Sequence, residues 1–268
     1  ELAWSSDQNG AVESLQRKVG NNVWLPQLTL EYRPDDRQLA WARVSRGYKA
    51  AGFNVYATQA VAAGDPYEPE YTNYAEIGYR ARGADDRWSV GAVAFHTRMR
   101  DQQVVIQGQG GATMTDNAGR SHTQGIELNA SLRPVRTLEL GGFAGYVKAV
   151  YDQYQRGSTD YAGQQFLATP RSSFGLSVNW RPSQDWELGL SARRIGKVYV
   201  PTSYLADGAY TLVDAHLSWY SQGWTLGIYG KNLGNAKYLT RAISDGQGGM
   251  LAQLGAPRTV GIRAAYDF

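Results

Sequence analysis

The sequence predicts an all-β fold: an antiparallel transmembrane β-barrel of the outer-membrane type, with about 11–12 strands present. Three observations predict it. Apolar and polar residues alternate with period two along one segment after another, while helical periodicity is nearly absent. Tight turns and long connections alternate without exception. Trp and Tyr gather beside the tight turns, as they do where a protein surface passes from hydrocarbon to headgroups.

Taken in order, Leu2–Trp4 reads as the stub of a twelfth strand before a long loop, and eleven strands follow from Trp24 onward. Leu28, Leu30 and Tyr32 oppose Thr29, Glu31 and Arg33. Ile126, Leu128, Ala130 and Leu132 oppose Gly125, Glu127, Asn129 and Ser131. Phe174, Leu176, Val178 and Trp180 alternate with Ser173, Gly175, Ser177, Asn179 and Arg181. Trp186, Leu188 and Leu190 alternate with Glu187, Gly189 and Ser191, and Trp224, Leu226 and Ile228 with Thr225, Gly227 and Tyr229. The last segment puts Val260, Ile262, Ala264, Tyr266 and Phe268 on one face. Each pattern is that of a half-buried strand. Five connections are tight: Pro34-Asp35-Asp36-Arg37, Gly83-Ala84-Asp85-Asp86, Pro134-Val135-Arg136-Thr137, Pro182-Ser183-Gln184-Asp185 and Ser221-Gln222-Gly223. Their Pro, Gly, Asp and Ser are turn chemistry. Between them lie long connections at about 47–69, 108–120, 151–165, 198–208 and 233–256.

The polar faces are Gly, Ser, Thr, Asn, Glu and Arg, poor material for a dry core and suited to a wetted lumen. Nothing else in the chain is available to cover the apolar faces, and lipid would cover them. Strands of about 9–11 residues, with short turns on one side and long loops on the other, fit that environment. Tyr32, Tyr79, Trp88, Trp180, Trp186, Trp219, Tyr220 and Trp224 lie within a few residues of a tight turn, and Tyr266 and Phe268 end the chain on the same side. They are expected to form a membrane-interface girdle, the ring in the apolar layer and its N–H or O–H among headgroups. The alternative is the general preference of aromatics for strand ends.

Composition removes several function classes. Twenty-seven Lys and Arg against 24 Asp and Glu leave +3, too mild for a nucleic-acid binder to be read from charge alone. The absence of cysteine excludes disulfides, thiolate metal sites and a cysteine nucleophile. No apolar run approaches the roughly 20 residues of a transmembrane helix. The start, Glu1-Leu2-Ala3-Trp4, has no initiator Met or signal-peptide features, as expected of a mature chain or a piece of a longer one. His96, His122 and His216 fall on three different strands without metal-ligand spacing, so no metal site is expected. Asp214, His216 and Ser218 share one face of one strand at steps of about 7 Å, beyond hydrogen-bond reach of one another, so no catalytic residue is expected. Gly108-Gln109-Gly110-Gly111 and Gly246-Gln247-Gly248-Gly249 lack the Lys-Ser/Thr ending and following helix of a phosphate loop and read as loop tips.

Several stretches resemble a known family. Val44-Ser45-Arg46-Gly47-Tyr48-Lys49-Ala50-Ala51-Gly52-Phe53-Asn54 closely resembles the Ser-Arg-Gly-Tyr-Lys-Ala-Gly-Gly-Phe-Asn stretch of TonB-dependent outer-membrane receptor barrels, departing at Ala51. Pro69-Glu70 with Glu76-Ile77-Gly78, Gly125-Ile126-Glu127-Leu128, and Lys231-Asn232-Leu233-Gly234-Asn235 with Tyr238 resemble further motifs of that family, in the same order. Gly255-Ala256-Pro257-Arg258-Thr259-Val260-Gly261 leading to Phe268 resembles its closing strand. The Arg-Gly-Tyr-Lys version is most similar to receptors for iron–siderophore complexes, including the yersiniabactin/pesticin receptor group. The resemblance implies that residues 1–268 are the C-terminal part of a 22-stranded barrel whose N-terminal plug and TonB box are not in this sequence. An odd count of eleven strands agrees with a cut through a larger cylinder.

That resemblance implies an outer-membrane receptor, not an enzyme, that binds a ferric siderophore and imports it with energy supplied through TonB acting on the plug. Iron would enter only as part of the chelated ligand, and no cofactor is expected. The implied partners are outer-membrane lipid, the siderophore or a similar nutrient, TonB and the barrel-assembly machinery, which would read the C-terminal strand; nucleic acid is not among them. Haem, cobalamin or an oligosaccharide as cargo, or a passive porin-type barrel, are the alternatives. Arg and Lys supply charge and forked hydrogen bonds, and Tyr supplies stacking faces, for a large anionic and partly aromatic ligand. The long connections offer Tyr48, Lys49, Tyr56, Tyr67, Tyr151, Tyr154, Arg156, Tyr161, Tyr199, Tyr204 and Arg241. The plainer expectation for any one loop tyrosine is packing within the loop or a place in the outer girdle. Arg46 is expected to pair in the lumen with Glu76 or another inward carboxylate rather than to touch ligand, and Glu127, Arg181, Glu187, Arg193, Asp214 and Arg263 to be interior charges. The tight turns are expected in the periplasm and the long loops outside, with Phe268 at the periplasmic rim.

Overall fold

The computed structural model describes residues 2–8, 11–20, 22–54, 63–107, 113–156, 158–200, 205–244 and 249–268. In chain order its strands are β1 (Leu2–Gln8), β2 (Ala11–Arg17), β3 (Gln27–Tyr32), β4 (Gln38–Lys49), β5 (Gly52–Phe53), β6 (Pro66–Tyr67) and β7 (Glu70–Arg82). There follow β8 (Trp88–Gln107), β9 (Thr113–Val135), β10 (Leu138–Gln153), β11 (Gln155–Arg156), β12 (Thr159–Asp160), β13 (Ser172–Ser183) and β14 (Trp186–Ile195). The last seven are β15 (Val198–Tyr199), β16 (Ala206–Asp207), β17 (Tyr210–Ser221), β18 (Trp224–Lys231), β19 (Leu239–Ser244), β20 (Met250–Leu254) and β21 (Thr259–Tyr266). Eleven of them form one antiparallel meander in the order β3-β4-β7-β8-β9-β10-β13-β14-β17-β18-β21. The pairs β5–β6, β11–β12, β15–β16 and β19–β20 lie in the long connections.

Register fixes which residues share a face. Leu30, Ala42, Ile77, Ala94, Ile126 and Tyr146 are successive cross-strand partners, one apolar row across six strands. Among the described residues no second sheet or helix covers this face: Ile262 is 86% exposed, Val260 72% and Leu176 69%. Among the described residues the buried apolar side chains are few, mostly alanines and loop tyrosines, so the fold has no dry centre. Its apolar residues face outward, as in a wall bathed by lipid.

The inner face is packed by a different rule. Trp41 lies over Gly78, Phe95 over Gly125, Phe143 over Gly175, His216 over Gly189 and Tyr229 over Gly261. In all five cases the two residues are direct cross-strand partners. A Cβ on these glycines would stand 2.0–2.8 Å from the ring above it. The ring occupies the volume its neighbour's missing side chain leaves free, which accounts for these five of the chain's 31 glycines.

The five tight turns lie where the sequence puts them. Gln222 (φ 48°) and Gly223 (φ 80°) both have positive φ, the type I′ geometry whose twist matches a two-residue hairpin. In the first turn the Asp35 carboxylate accepts the Arg37 backbone N–H at 2.8 Å and the Gln38 side-chain amide at 2.9 Å. These bonds hold its pKa below the usual aspartate value.

Two expectations are corrected. The segment 108–120 is not chiefly a loop, because β8 and β9 continue pairing without a register break from Arg100↔Arg120 to Gln107↔Thr113. At about 3.3 Å per residue, the 20 residues of β8 make about 66 Å of strand, whereas a band of about 25 Å crossed at about 40° needs roughly 33 Å. Val104, Val105 and Thr115 favour strand, and beyond the bilayer water wets both faces, so no hydrophobic pattern marks the extension. The N-terminal stub is likewise a hairpin, with Leu2 paired to Arg17 and Gln8 to Ala11, and Leu15 lies against Gly64.

Candidate functional site

The short-turn end of the inner face carries paired charges. Arg133 Nη2 lies 3.0 Å from Glu139 Oε2, and Arg181 Nη2 2.7 Å from Glu187 Oε2. Tyr220 Oη also donates to Glu187, at 3.2 Å, so Tyr220 faces the lumen and is not part of the girdle. The two Arg–Glu pairs and the turn residues Asp85, Asp86 and Arg87 line a recess of about 690 Å³. Farther along the wall Glu76 is a hub. It accepts from Trp41 Nε1 at 3.0 Å and from Tyr74 Oη, and pairs with Arg43 Nη2 at 3.1 Å. The expected partner, Arg46, is one residue out of phase: Arg43 opposes Glu76 directly, while Arg46 opposes Asn73 on the outer face and stacks on Tyr71 at 4.8 Å. Alternation assigns Glu127, Arg193, Asp214 and Arg263 to the inner face.

The long connections are fastened to the wall by the residues that carry the sequence motifs. Asn54 donates through Nδ2 to the Thr115 carbonyl at 2.9 Å and accepts the Thr115 N–H at 2.6 Å, tying the β4–β7 connection to β9. Asn117 Oδ1 accepts the Glu68 N–H at 2.8 Å, and Gln103 Nε2 donates to the Ala50 carbonyl at 2.8 Å. After β18, Asn232 is 4% exposed and has positive φ. Its Oδ1 accepts the Ala236 N–H at 2.8 Å, and its Nδ2 donates to the carbonyls of Ala236 and Ala256 at 2.9 and 3.0 Å. Its own N–H donates to Asp214 Oδ1 at 2.8 Å. Asn232→Ala removes the partners of three backbone groups, two on Ala236 and one on the exposed Ala256, at a cost of about 1–3 kcal/mol. The expected result is a lower urea midpoint of the full-length barrel and faster protease cleavage within 233–256, with Asn232→Asp intermediate.

The candidate ligand residues are dispersed. Tyr48 stands on the outer face opposite Tyr71, ring centroids 5.5 Å apart, while Lys49 faces inward opposite Glu70. Tyr67 covers Gly52 within the β5–β6 pair. Tyr151 and Tyr154 are buried, and with Phe166 and Tyr161 they make a continuous aromatic stack of 4.7–5.1 Å steps inside the β10–β13 connection. Tyr199 lies beneath Lys197 Nζ at 5.2 Å. Arg241 is exposed on β19. Tyr56, Tyr204 and the side chain of Arg156 fall outside the described residues, as do the two Gln-Gly-Gly tips apart from Gly249.

The structure adds a group that the sequence reading did not assemble. Tyr210, at the outer end of β17, stacks on Tyr238 at 4.5 Å and 13°. Arg193 lies on the same inner face of β14, where Ile195 pairs with Tyr210 and Arg193 with Leu212. A guanidinium beside two parallel rings at the lumen mouth suits a flat, anionic, aromatic-bearing ligand. Counting in twos from Leu188 and Leu217 gives the faces of Arg193 and Tyr210, but the loop residue Tyr238 has no such parity.

His216 Nε2 is 3.4 Å from Glu187 Oε1 on the neighbouring strand. The His96 and His122 rings are 6.1 Å apart, and among the described residues no three His, Cys, Asp or Glu form a metal-binding group. The girdle residues Tyr32, Tyr79, Trp88, Trp180, Trp186, Trp219, Trp224 and Tyr266 share the register rows of the apolar face, and the Tyr266 ring meets Trp224 at 5.0 Å and Phe268 at 5.1 Å.

A family model described as TonB dependent receptor-like, beta-barrel, matches residues 4–233. The pesticin receptors of Yersinia enterocolitica and Yersinia pestis are each 28% identical to this chain over 262 residues, 94% of it and 37% of their own length. The chain therefore spans less than half of the curated relatives it matches. The crystal structure of the ferric yersiniabactin uptake receptor FyuA from Yersinia pestis superimposes with a TM-score of 0.83 at 25% identity, covering 98% of this chain and 40% of that one. The ferric-catecholate import receptor Fiu of Escherichia coli K12 superimposes with a TM-score of 0.73 at 18% identity, over 97% and 37%.

Proposed function

The chain belongs to the TonB-dependent receptor β-barrel family of the bacterial outer membrane, and on that premise we propose that the protein it forms part of binds a ferric siderophore outside the cell and imports it with energy delivered through TonB. The observation that carries this reading is the likeness to the ferric yersiniabactin uptake receptor over 98% of the chain at a TM-score of 0.83. The chemistry of the wall supports it. Arg193 with the Tyr210–Tyr238 stack, and Lys197 with Tyr199, offer cations and ring faces at the lumen mouth. The wall itself supplies a membrane-compatible arc of eleven strands, each hydrogen-bonded to its neighbours. TonB acts through a plug domain, and β21, which leads to Phe268, is the strand the barrel-assembly machinery reads.

Titrating the full-length receptor with ferric siderophores, haem and cobalamin under equal conditions tests the cargo. Saturable binding of a ferric siderophore is expected. Arg193→Ala and Tyr210→Ala are each expected to weaken it about tenfold, roughly 1.4 kcal/mol, with heat-modifiable folding unchanged. Flat responses to every iron chelate end this reading.

A further inference from the structure

We propose that the outer face just above the apolar belt, spanning β4 to β10, is a binding site for an outer-leaflet lipid whose headgroup carries at least two phosphates. The site is independent of the cargo and rests only on the wall's place in the outer membrane. Above the row that ends in Ile126 and Tyr146, the next row reads Val44, Ala75, His96, Gln124 and Lys148. Then come Arg46, Asn73, Arg98 and His122, and after them Tyr48, Tyr71, Arg100 and Arg120. Four arginines, a lysine and two histidines thus share one face.

Depth places them at the headgroups. Trp88 marks the short-turn edge of the belt on β8, and Arg98 is ten residues along the same strand. Ten residues at about 3.3 Å, tilted by about 40°, rise about 25 Å, the height of the apolar band. The cations therefore stand where the opposite leaflet's headgroups begin.

Their partners are missing within the protein. On the inner face Arg43, Arg133 and Arg181 each meet a glutamate. On this outer patch no arginine or lysine pairs with a carboxylate among the described residues. Arg46 lies on the Tyr71 ring, Arg98 Nε donates to His96 Nε2 at 3.2 Å, and Arg120 Nε to Gln153 Oε1 at 3.0 Å. Asp152, on β10 beside the patch, takes His122 at 2.7 Å. Arg100 and Arg120 are exposed and oppose each other directly across strands, an arrangement that destabilises a sheet unless an anion lies between them.

The occupant follows from extent and from what lies below. Arg46 and Lys148 are four strand spacings apart, about 19 Å, wider than one phosphodiester group. Beneath His96 is an apolar recess of about 460 Å³ lined by Leu28, Leu30, Ala42, Ala75, Ile77 and Ala94 among others. A multiply acylated, bis-phosphorylated glycolipid has the charges for the upper part and the chains for the lower.

Native mass spectrometry of the full-length receptor, loaded separately with bis-phosphorylated lipid A, its dephosphorylated form and phosphatidylglycerol, tests the proposal. Wild type is expected to retain the bis-phosphorylated lipid at least tenfold better than either of the others, with retention falling as salt rises. Combined Arg98→Gln, Arg100→Gln and Arg120→Gln is expected to remove that advantage, while Arg136→Gln at the opposite rim leaves it intact. Arg100→Gln alone, if the triple variant does not fold, is expected to lower retention about threefold. Ferric-siderophore binding should be unchanged in these variants, which separates the lipid site from the cargo site. Equal retention of the three lipids, or full retention by both the triple and the single variant, would overturn the proposal.

Discussion

Gly125→Leu is expected to abolish assembly of the barrel, where the same change at Gly189 is expected only to weaken it. A Cβ at Gly125 meets two obstacles: the Phe95 ring at 2.8 Å and the Tyr146 backbone carbonyl at 2.5 Å. A ring can rotate away, but a ladder carbonyl in the neighbouring strand can move only by breaking the pairing of β9 with β10. Overpacking typically costs about 1–3 kcal/mol, and a clash with the sheet backbone exceeds the upper end of that range. At Gly189 the three nearest obstacles are atoms of the His216 ring. His216→Ala should therefore rescue Gly189→Leu, whereas Phe95→Ala should leave Gly125→Leu defective. The folded, heat-modifiable band in outer-membrane preparations reads both results. A normal folded band for Gly125→Leu would show that the Tyr146 carbonyl does not limit the space at Gly125.

The second large effect is expected at Glu76, whose side chain is 10% exposed. Replacing it with Ala removes the acceptor of Trp41 Nε1 and of Tyr74 Oη and leaves the Arg43 charge without its counter-ion. The Arg43 Nε is already buried without a partner. Arg43 is 39% exposed and keeps part of its hydration, so the loss of the carboxylate costs about 1–3 kcal/mol, most of it from the Trp41 and Tyr74 donors. Glu76→Gln keeps one oxygen acceptor and should cost about half as much. Urea unfolding of the full-length receptor, followed through the Trp41 environment, distinguishes the two. Equal midpoints for wild type and Glu76→Ala would show that the network contributes nothing to the wall.

Much of this molecule was legible in one dimension because a lipid-facing strand has a strict sequence rule. Side chains alternate between hydrocarbon and water, so Leu28, Leu30 and Tyr32, or Val260, Ile262 and Ala264, declare their face without a partner strand being known. The five tight turns were equally legible, since Pro, Gly and Asp act through local backbone preferences. The strand extension at 113–120 was not, because above the bilayer both faces are wet and the alternation fades.

The ion pairs mark the same boundary. Arg43 and Arg46 lie three residues apart and look equally able to meet Glu76. Only the register Arg43↔Glu76 assigns one to the lumen and the other to the lipid side, because a shift of one residue exchanges the faces. The same holds for Tyr48, which alternation and its pairing with Tyr71 carry outward, and for the loop tyrosines Tyr151, Tyr154 and Tyr161, which stack with one another. Sequence alone thus determined the fold class, the lipid face and the short-turn rim, all of which depend on neighbours within one strand. Tertiary structure decided which charges pair, which rings cover which glycines and which cations face outward unpaired, because those depend on residues from different strands brought side by side.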